Sequence, residues 1–306
     1  MNYKNLFRSR KLRYSILRFL SFVPDKTMIK WQYRIKFGTK LDFDNPKRFS
    51  EKLQLYKLYY RNPLMTQCSD KYAVREFLKN KKMDYLLPKF YGAFDRGEDI
   101  DFDKLPDKFV LKTNDGGGGN NIIICKDKSQ LDIPRTIKEL NSWLNMKNLN
   151  PGREWCYKHI PKSVILIEEY LENPKNPEIG IEDYKFYCFD GQPFCIQYDE
   201  GRYAQHYRDF FDMDWNNLQI QSGKPRKPTN TPMPENFEEM KLIAAKLSEG
   251  FPHVRVDLYS VAGKIFFGEM TFYTAAGYVY FDPDKFDEIM GSRFDISSFY
   301  PKKNKT

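Results

Sequence analysis

The chain is short of the residues from which many catalytic centres are built. It has three histidines in 306 residues, His159, His206 and His253, far apart. A histidine metal site or a Ser-His-Asp triad is therefore poorly supplied. The five cysteines (Cys68, Cys125, Cys156, Cys188, Cys195) are scattered, and no Cys-x-x-Cys occurs. They indicate neither a zinc site nor a disulfide framework, and a reducing compartment, the cytoplasm, fits. No apolar run is long enough to span a membrane. No signal peptide is evident, because the stretch 16–23 is broken by Arg18 and lacks a small-residue cleavage pattern.

Basic charge is also missing where a nucleic-acid-binding body would need it. The chain has 50 Lys/Arg against 41 Asp/Glu, but residues 1–40 alone hold 11 bases and one acid. Residues 41–306 carry 39 bases and 40 acids, so the body is neutral. A phosphate-tracking groove needs bases spread over the binding face, and no nucleic-acid partner is expected. Six of the 11 bases and no acid lie in residues 1–23, where Lys4, Arg8, Arg10, Lys11, Arg13 and Arg18 alternate with Leu, Ile, Phe and Tyr. This reads as a helix with two uses: packing on its own domain, or peripheral contact with an anionic membrane.

What is present centres on residues 109–124, Phe-Val-Leu-Lys-Thr-Asn-Asp-Gly-Gly-Gly-Gly-Asn-Asn-Ile-Ile-Ile. A β-prone run ends in Lys112, four glycines (Gly116, Gly117, Gly118, Gly119) follow, and a second β-prone run comes next. Four adjacent glycines cost backbone entropy unless something must come close or φ must be positive. The pattern predicts a hairpin with a glycine tip. It serves either as an ordinary flexible hairpin or as a cradle of N–H groups for phosphates. It is not a Walker A loop or a dinucleotide fingerprint, because a strand and not a helix follows the glycines.

Periodicity predicts helices from about 26 to 37, 49 to 60, 71 to 81 (capped by Ser69-Asp70), 134 to 146, 237 to 249 and around 285–290. Residues 85–88 are expected as a short strand with 90–94 as its exit, and 163–171 as a buried strand. Two hairpins are expected: 184–189 with 193–198 across Asp190-Gly191, and 253–259 with 264–272 across Ala262-Gly263. The polar stretch 213–235 reads as a long surface loop.

Two carboxylates interrupt the last hairpin, Asp257 and Glu269. The turn at 262–263 sets them roughly opposite each other, near enough to share a divalent cation. The alternative is neutralisation by Arg255 or another base. Lys185 is a base in the otherwise aromatic strand 184–189. Lys112, the glycine hairpin, Lys185 and two acids make a kit for binding phosphate with Mg2+, and phosphoryl transfer needs little beyond positioning and charge neutralisation.

The order of these motifs resembles the ATP-grasp enzymes, and the wording resembles their TupA-like branch, found among bacterial surface-polysaccharide genes and often labelled glycosyltransferase-like. The matching text is Ser69-Asp70-Lys71-Tyr72-Ala73-Val74-Arg75, the run 105–112, Glu168-Glu169-Tyr170-Leu171, Asp183-Tyr184-Lys185 with the strand to Gly191, and 251–259 with 267–273. It covers most of the chain from about 30 to 290. Each motif alone is weak, whereas five in order are fairly specific.

The resemblance implies an α+β ATP-grasp fold in which two subdomains grip ATP. The expected segments are a basic helical extension (1–65), a lead-in (66–106), a lid with the glycine hairpin (107–171), a metal-binding subdomain (172–292) and a tail (293–306). By the resemblance Lys112 holds the α/β-phosphates, the glycine hairpin closes over the triphosphate, and Glu168, Glu169, Tyr170 and Leu171 meet the adenine. Lys71 faces the nucleotide or substrate, Lys185 and Arg255 act near the γ-phosphate, and Asp257, Glu269 and Thr271 bind Mg2+. Thr271 stands where many ATP-grasp enzymes have Asn, and the tip lacks the His and Ser of this branch. The implied activity is ATP-dependent ligation of a carboxylate to an amine, with polysaccharide precursors as the setting and the cytoplasm or the inner face of the plasma membrane as the place. Two other readings stand beside it. One is a glycosyltransferase using Asp212-Met213-Asp214 to hold a metal, against a plain solvated turn at the same residues. The other is a binding protein that kept the fold without catalysis.

Overall fold

The computed structural model describes residues 19–117, 121–145 and 150–300. Most of the basic segment 1–23, together with Gly118 and Gly119, lies outside them. The helices are α1 (Asp25–Phe37), α2 (Phe49–Tyr59), α3 (Pro63–Ser69), α4 (Val74–Asn80), α5 (Ile133–Leu144), α6 (Trp155–Lys158), α7 (Phe237–Ser248) and α8 (Lys285–Arg293). The strands are β1 (Phe90–Phe94), β2 (Phe109–Thr113), β3 (Ile122–Cys125), β4 (Ile165–Glu169), β5 (Asp183–Phe189), β6 (Gln192–Glu200), β7 (Tyr207–Phe211), β8 (His253–Val261) and β9 (Lys264–Thr271). They form two antiparallel sheets, β1-β4-β2-β3 and β7-β6-β5-β8-β9.

In the four-stranded sheet, alternation decides which face is dry. Phe109 and Leu111 of β2, Ile165 and Ile167 of β4 and Cys125 of β3 pack with Leu140 of α5. Val110, opposite Glu168, and Lys112, diagonal to it, point the other way. The edge strand β1 comes from residues 90–94, ahead of the expected lid segment 107–171. Residues 85–88 are not a strand: Asp84–Leu86 form a 3-10 turn and Phe90–Phe94 do the pairing. Pro88 has no N–H to give a ladder, and β4 is available only to the residues after it.

The five-stranded sheet is covered on one face by α7. Met240, Ile243, Ala244 and Leu247 bury against the side of β5 and β8 that carries Phe186, Val254 and Val256. The opposite face changes character along its length. At one end Tyr187, Phe189 and His253 pack on Phe49 of α2 and Phe294. At the other, Asp183, Lys185, Asp257 and Tyr259 replace them. Both hairpin turns form as expected, with positive φ at Asp190-Gly191 and Ala262-Gly263. The expected loop 213–235 is mostly irregular, and its Gln221 bridges Asp282.

α4 begins at Val74 and not at 71. Asp70 Oδ1 accepts from the N–H groups of Tyr72 and Ala73, as a cap does, while the N–H of Lys71 donates to the Asn114 carbonyl at 3.0 Å. This bond draws the start of the helix to the base of the glycine hairpin.

Candidate nucleotide site

An open cleft runs between the facing sides of the two sheets. One wall is Val110, Lys112, Ile122, Ile124 and Glu168 from the four-stranded sheet. The other includes Asp183, Tyr259, Phe267, Gly268 and Glu269. Lys71, the segment 168–171, Leu87 and Pro88 also line the cleft. A cleft lined by both apolar and polar groups suits a nucleotide.

Lys112 forms an ion pair with Glu168, and Arg75 reaches the same carboxylate at 3.3 Å. Lys71 Nζ donates to the carbonyl of Gly116. Burial lowers the Lys71 ammonium below the usual lysine range, opposed by Glu269 and reinforced by Lys112. Two cations thus share the Glu168 carboxylate, with the Lys71 ammonium close by, and this cluster of bases favours an anion.

The hairpin base is tied down by Asn114, which is buried. Its side chain donates to Asp70 Oδ2 at 2.8 Å and to the Lys162 carbonyl at 3.0 Å, and it accepts from the Val164 N–H at 2.9 Å. Sequence reasoning passed over Asn114. The only signal was an Asn-Asp pair entering the glycines.

The face beyond Glu269 is a balanced ionic layer. Arg255 holds Asp257 with both arms, Nε to Oδ1 at 2.7 Å and Nη2 to Oδ2 at 2.6 Å. Arg255 Nη2 also lies 3.2 Å from Glu269 Oε1 and 3.1 Å from Thr271 Oγ1. Lys185 Nζ sits 2.9 Å from Asp183, 3.3 Å from Asp257 and 3.9 Å from Asp199. Arg202 pairs with Asp183, and Arg208 with Asp199 at 2.6 Å. Four bases match four acids here, so each buried charge is paired. Asp183, Asp199, Arg202 and Arg208 carried no functional role in the sequence reading. Asp199 and Arg208 come from strand pairings that no local pattern announces.

Asp257 and Glu269 are directly opposed in register. Burial alone would raise the Glu269 carboxyl, but Arg255, Lys71 and Lys185 outweigh it and hold it at about 2. The acids are partnered by Arg255 and Lys185, and among the described residues no group of three or more His, Cys, Asp or Glu could hold a metal by itself. Mg2+ does not require such a cage, since one or two carboxylates plus phosphate oxygens suffice. Glu269 lines the cleft, with the Thr271 hydroxyl 3.2 Å from its Oε1 and Asp257 beside it. Of these groups Glu269 lines the cleft and fits a cation completed by phosphate ligands, whereas both Asp257 oxygens are held by Arg255.

A sequence model of the TupA-like ATP-grasp family matches residues 51–295. The chain belongs to the TupA-like ATP-grasp family. The ATP-grasp chain is also similar to D-alanine–D-alanine ligase from Bacillus anthracis (21% identity over 77% of this chain and 64% of that one, TM-score 0.41). It is similar to N5-carboxyaminoimidazole synthetase from Staphylococcus aureus complexed with ADP (15%, 75% and 52%, TM-score 0.44). A third is D-alanine–D-alanine ligase from Helicobacter pylori (14%, 75% and 59%, TM-score 0.42). The chain spans less than two thirds of the length of each. No protein of curated function matches.

Of the residues expected to serve ATP-grasp chemistry, Lys71, Lys112, Glu168, Glu169, Tyr170, Leu171 and Glu269 all line the one cleft. Gly116 adjoins it through Lys71. Lys185, Arg255 and Asp257 lie buried just behind Glu269. Asp212 and Asp214 do not reach the cleft. Asp212 Oδ1 accepts from the N–H groups of Asp214 and Asn216, which is the solvated turn and not a metal pair.

Proposed function

We propose that this protein is an ATP-dependent carboxylate–amine ligase. The observation that carries the reading is the convergence of Lys71, Lys112, the start of the glycine hairpin and Glu269 on one cleft. Lys112 and Lys71 hold the phosphates, and the segment 169–171 receives the adenine. Glu269, with Asp257 and Thr271 beside it, would hold Mg2+, which when bound would neutralise phosphate charge. Arg255 and Lys185 stand behind those acids and fix their positions.

The reaction has two steps. A carboxylate oxygen attacks the γ-phosphorus, the bond to the β-bridging oxygen breaks, and ADP leaves. The resulting acyl phosphate is attacked at its carbonyl carbon by an amine. Phosphate departs with the C–O electron pair, the amine proton passes to solvent, and an amide remains. The enzyme supplies no covalent nucleophile, which suits a chain with three histidines and five buried thiols. By the family resemblance the carboxylate is a uronic or amino acid, and the amine an amino acid or amino sugar of a bacterial surface polysaccharide or its precursor. That chemistry belongs to the cytoplasm.

The test uses uronic and amino acids labelled with 18O in the carboxylate, offered with amines, ATP and Mg2+. One label must appear in the released phosphate. ADP release without label in phosphate would rule out the acyl-phosphate route.

A further inference from the structure

Among the described residues, nothing covers one face of α1. The helix buries Met28, Ile29 and Tyr33. One turn apart on another side, Trp31 and Ile35 stand 50% and 58% exposed. Just before the helix, Phe19 and Phe22 are each 75% exposed and pack edge to face on one another.

This display is held in place. The Arg153 guanidinium, mostly buried, donates to the carbonyl of Leu20 at 2.9 Å and to that of Val23 at 3.2 Å. It therefore fixes the turn that carries Phe22. Arg153 also pairs at 2.9 Å with Asp25, the one acid among residues 1–40. The exposed bases Lys26, Lys30 and Arg34 form the helix row next to Trp31 and Ile35, with the ammonium groups of Lys26 and Lys30 each 5.1 Å over the Phe43 ring. Residues 1–18 add six more Lys/Arg and no acid.

We propose that the surface formed by Phe19, Phe22, Trp31 and Ile35 with Lys26, Lys30 and Arg34 docks on an anionic lipid bilayer. Aromatic and aliphatic side chains set among bases suit the headgroup boundary, where rings enter the acyl edge and bases meet lipid charge. A nucleic acid would engage the charge but leave the aliphatic Ile35 without a role. The proposal is independent of the ligase reading. It would bring the enzyme to substrates held at a membrane.

The full-length protein is sedimented with phosphatidylcholine vesicles, with and without phosphatidylglycerol, at low and high salt. Binding is expected only with phosphatidylglycerol, and weaker at high salt. The Trp31→Ser/Ile35→Ser chain should bind about tenfold more weakly, and so should the Lys30→Glu/Arg34→Glu chain, with nucleotide binding unchanged in both. A blue shift of tryptophan fluorescence on adding anionic vesicles should be lost in Trp31→Phe, a mild change that preserves the fold. No sedimentation with anionic vesicles overturns the proposal. So does unchanged retention of the Trp31→Ser/Ile35→Ser chain, which would leave charge alone as the cause.

Discussion

Asp257 and Glu269 face each other across β8 and β9 because Gly268 bulges out between them. The two-residue turn Ala262-Gly263 sets the register as far as Leu258 opposite Phe267. Without the extra residue, Asp257 would meet Gly268, and Glu269 would be sent to the other face.

That bulge leaves little room for a side chain. A Cβ at 268 would lie 3.0 Å from the Asp257 carbonyl oxygen and 3.0 Å from the Tyr259 ring. Gly268→Ala is expected to lower turnover about tenfold or more, with only a small drop in melting temperature. Unchanged turnover would mean that the facing of the two acids is incidental.

The acids should differ sharply from the Asp212 pair. Asp257→Asn and Glu269→Gln are each expected to reduce Mg2+-dependent turnover by at least about 100-fold. Asp212→Asn should leave it nearly intact, because that side chain serves a turn. The reverse pattern in steady-state rates would favour the glycosyltransferase reading.

Lys71 couples the lead-in segment to the hairpin through the Gly116 carbonyl. Lys71→Ala should weaken nucleotide binding about tenfold, and hydrogen exchange should quicken at residues 113–117. Faster exchange with unchanged affinity would make Lys71 a purely structural strut.

Acid stability should report His253. Its ring is fully buried among Phe49, Phe189 and Phe294; Nδ1 donates to the Cys188 carbonyl at 2.9 Å, and Nε2 has no partner. Burial lowers its pKa to about 3 from the ordinary 6.5. The unfolded chain therefore binds a proton that the folded one refuses. Stability is full above pH 6.5 and is lost as the pH falls from there toward 3. Denaturant titrations between those limits should show this slope in the wild type and about one proton less in His253→Phe. Equal slopes would contradict the assignment.

The sequence made the local devices legible. Asp190-Gly191 and Ala262-Gly263 can each be read as a tight turn because the positive φ values they need favour those residues. The apolar helix faces could be read because their period is fixed by the helix itself. β7 and α3 were not legible: β7 is defined by a partner strand, and Pro63, just past the helix expected over 49–60, is the first residue of a new helix. In the site, Lys112, Lys185, Asp257 and Glu269 were visible as charges out of place on apolar strands. Their mutual arrangement was not. Lys185 is ringed by Asp183, Asp199 and Asp257 only once β5, β6 and β8 are side by side. The Asn114 knot likewise joins residues 70, 114, 162 and 164, which no local pattern relates.

The most direct measurement is calorimetric titration with ATP, with and without Mg2+, of the wild type and Lys112→Ala. The ligase account predicts Mg2+-dependent binding in the micromolar range, about −8 kcal/mol, lost in the mutant. No ATP binding, or binding that survives Lys112→Ala, would contradict it.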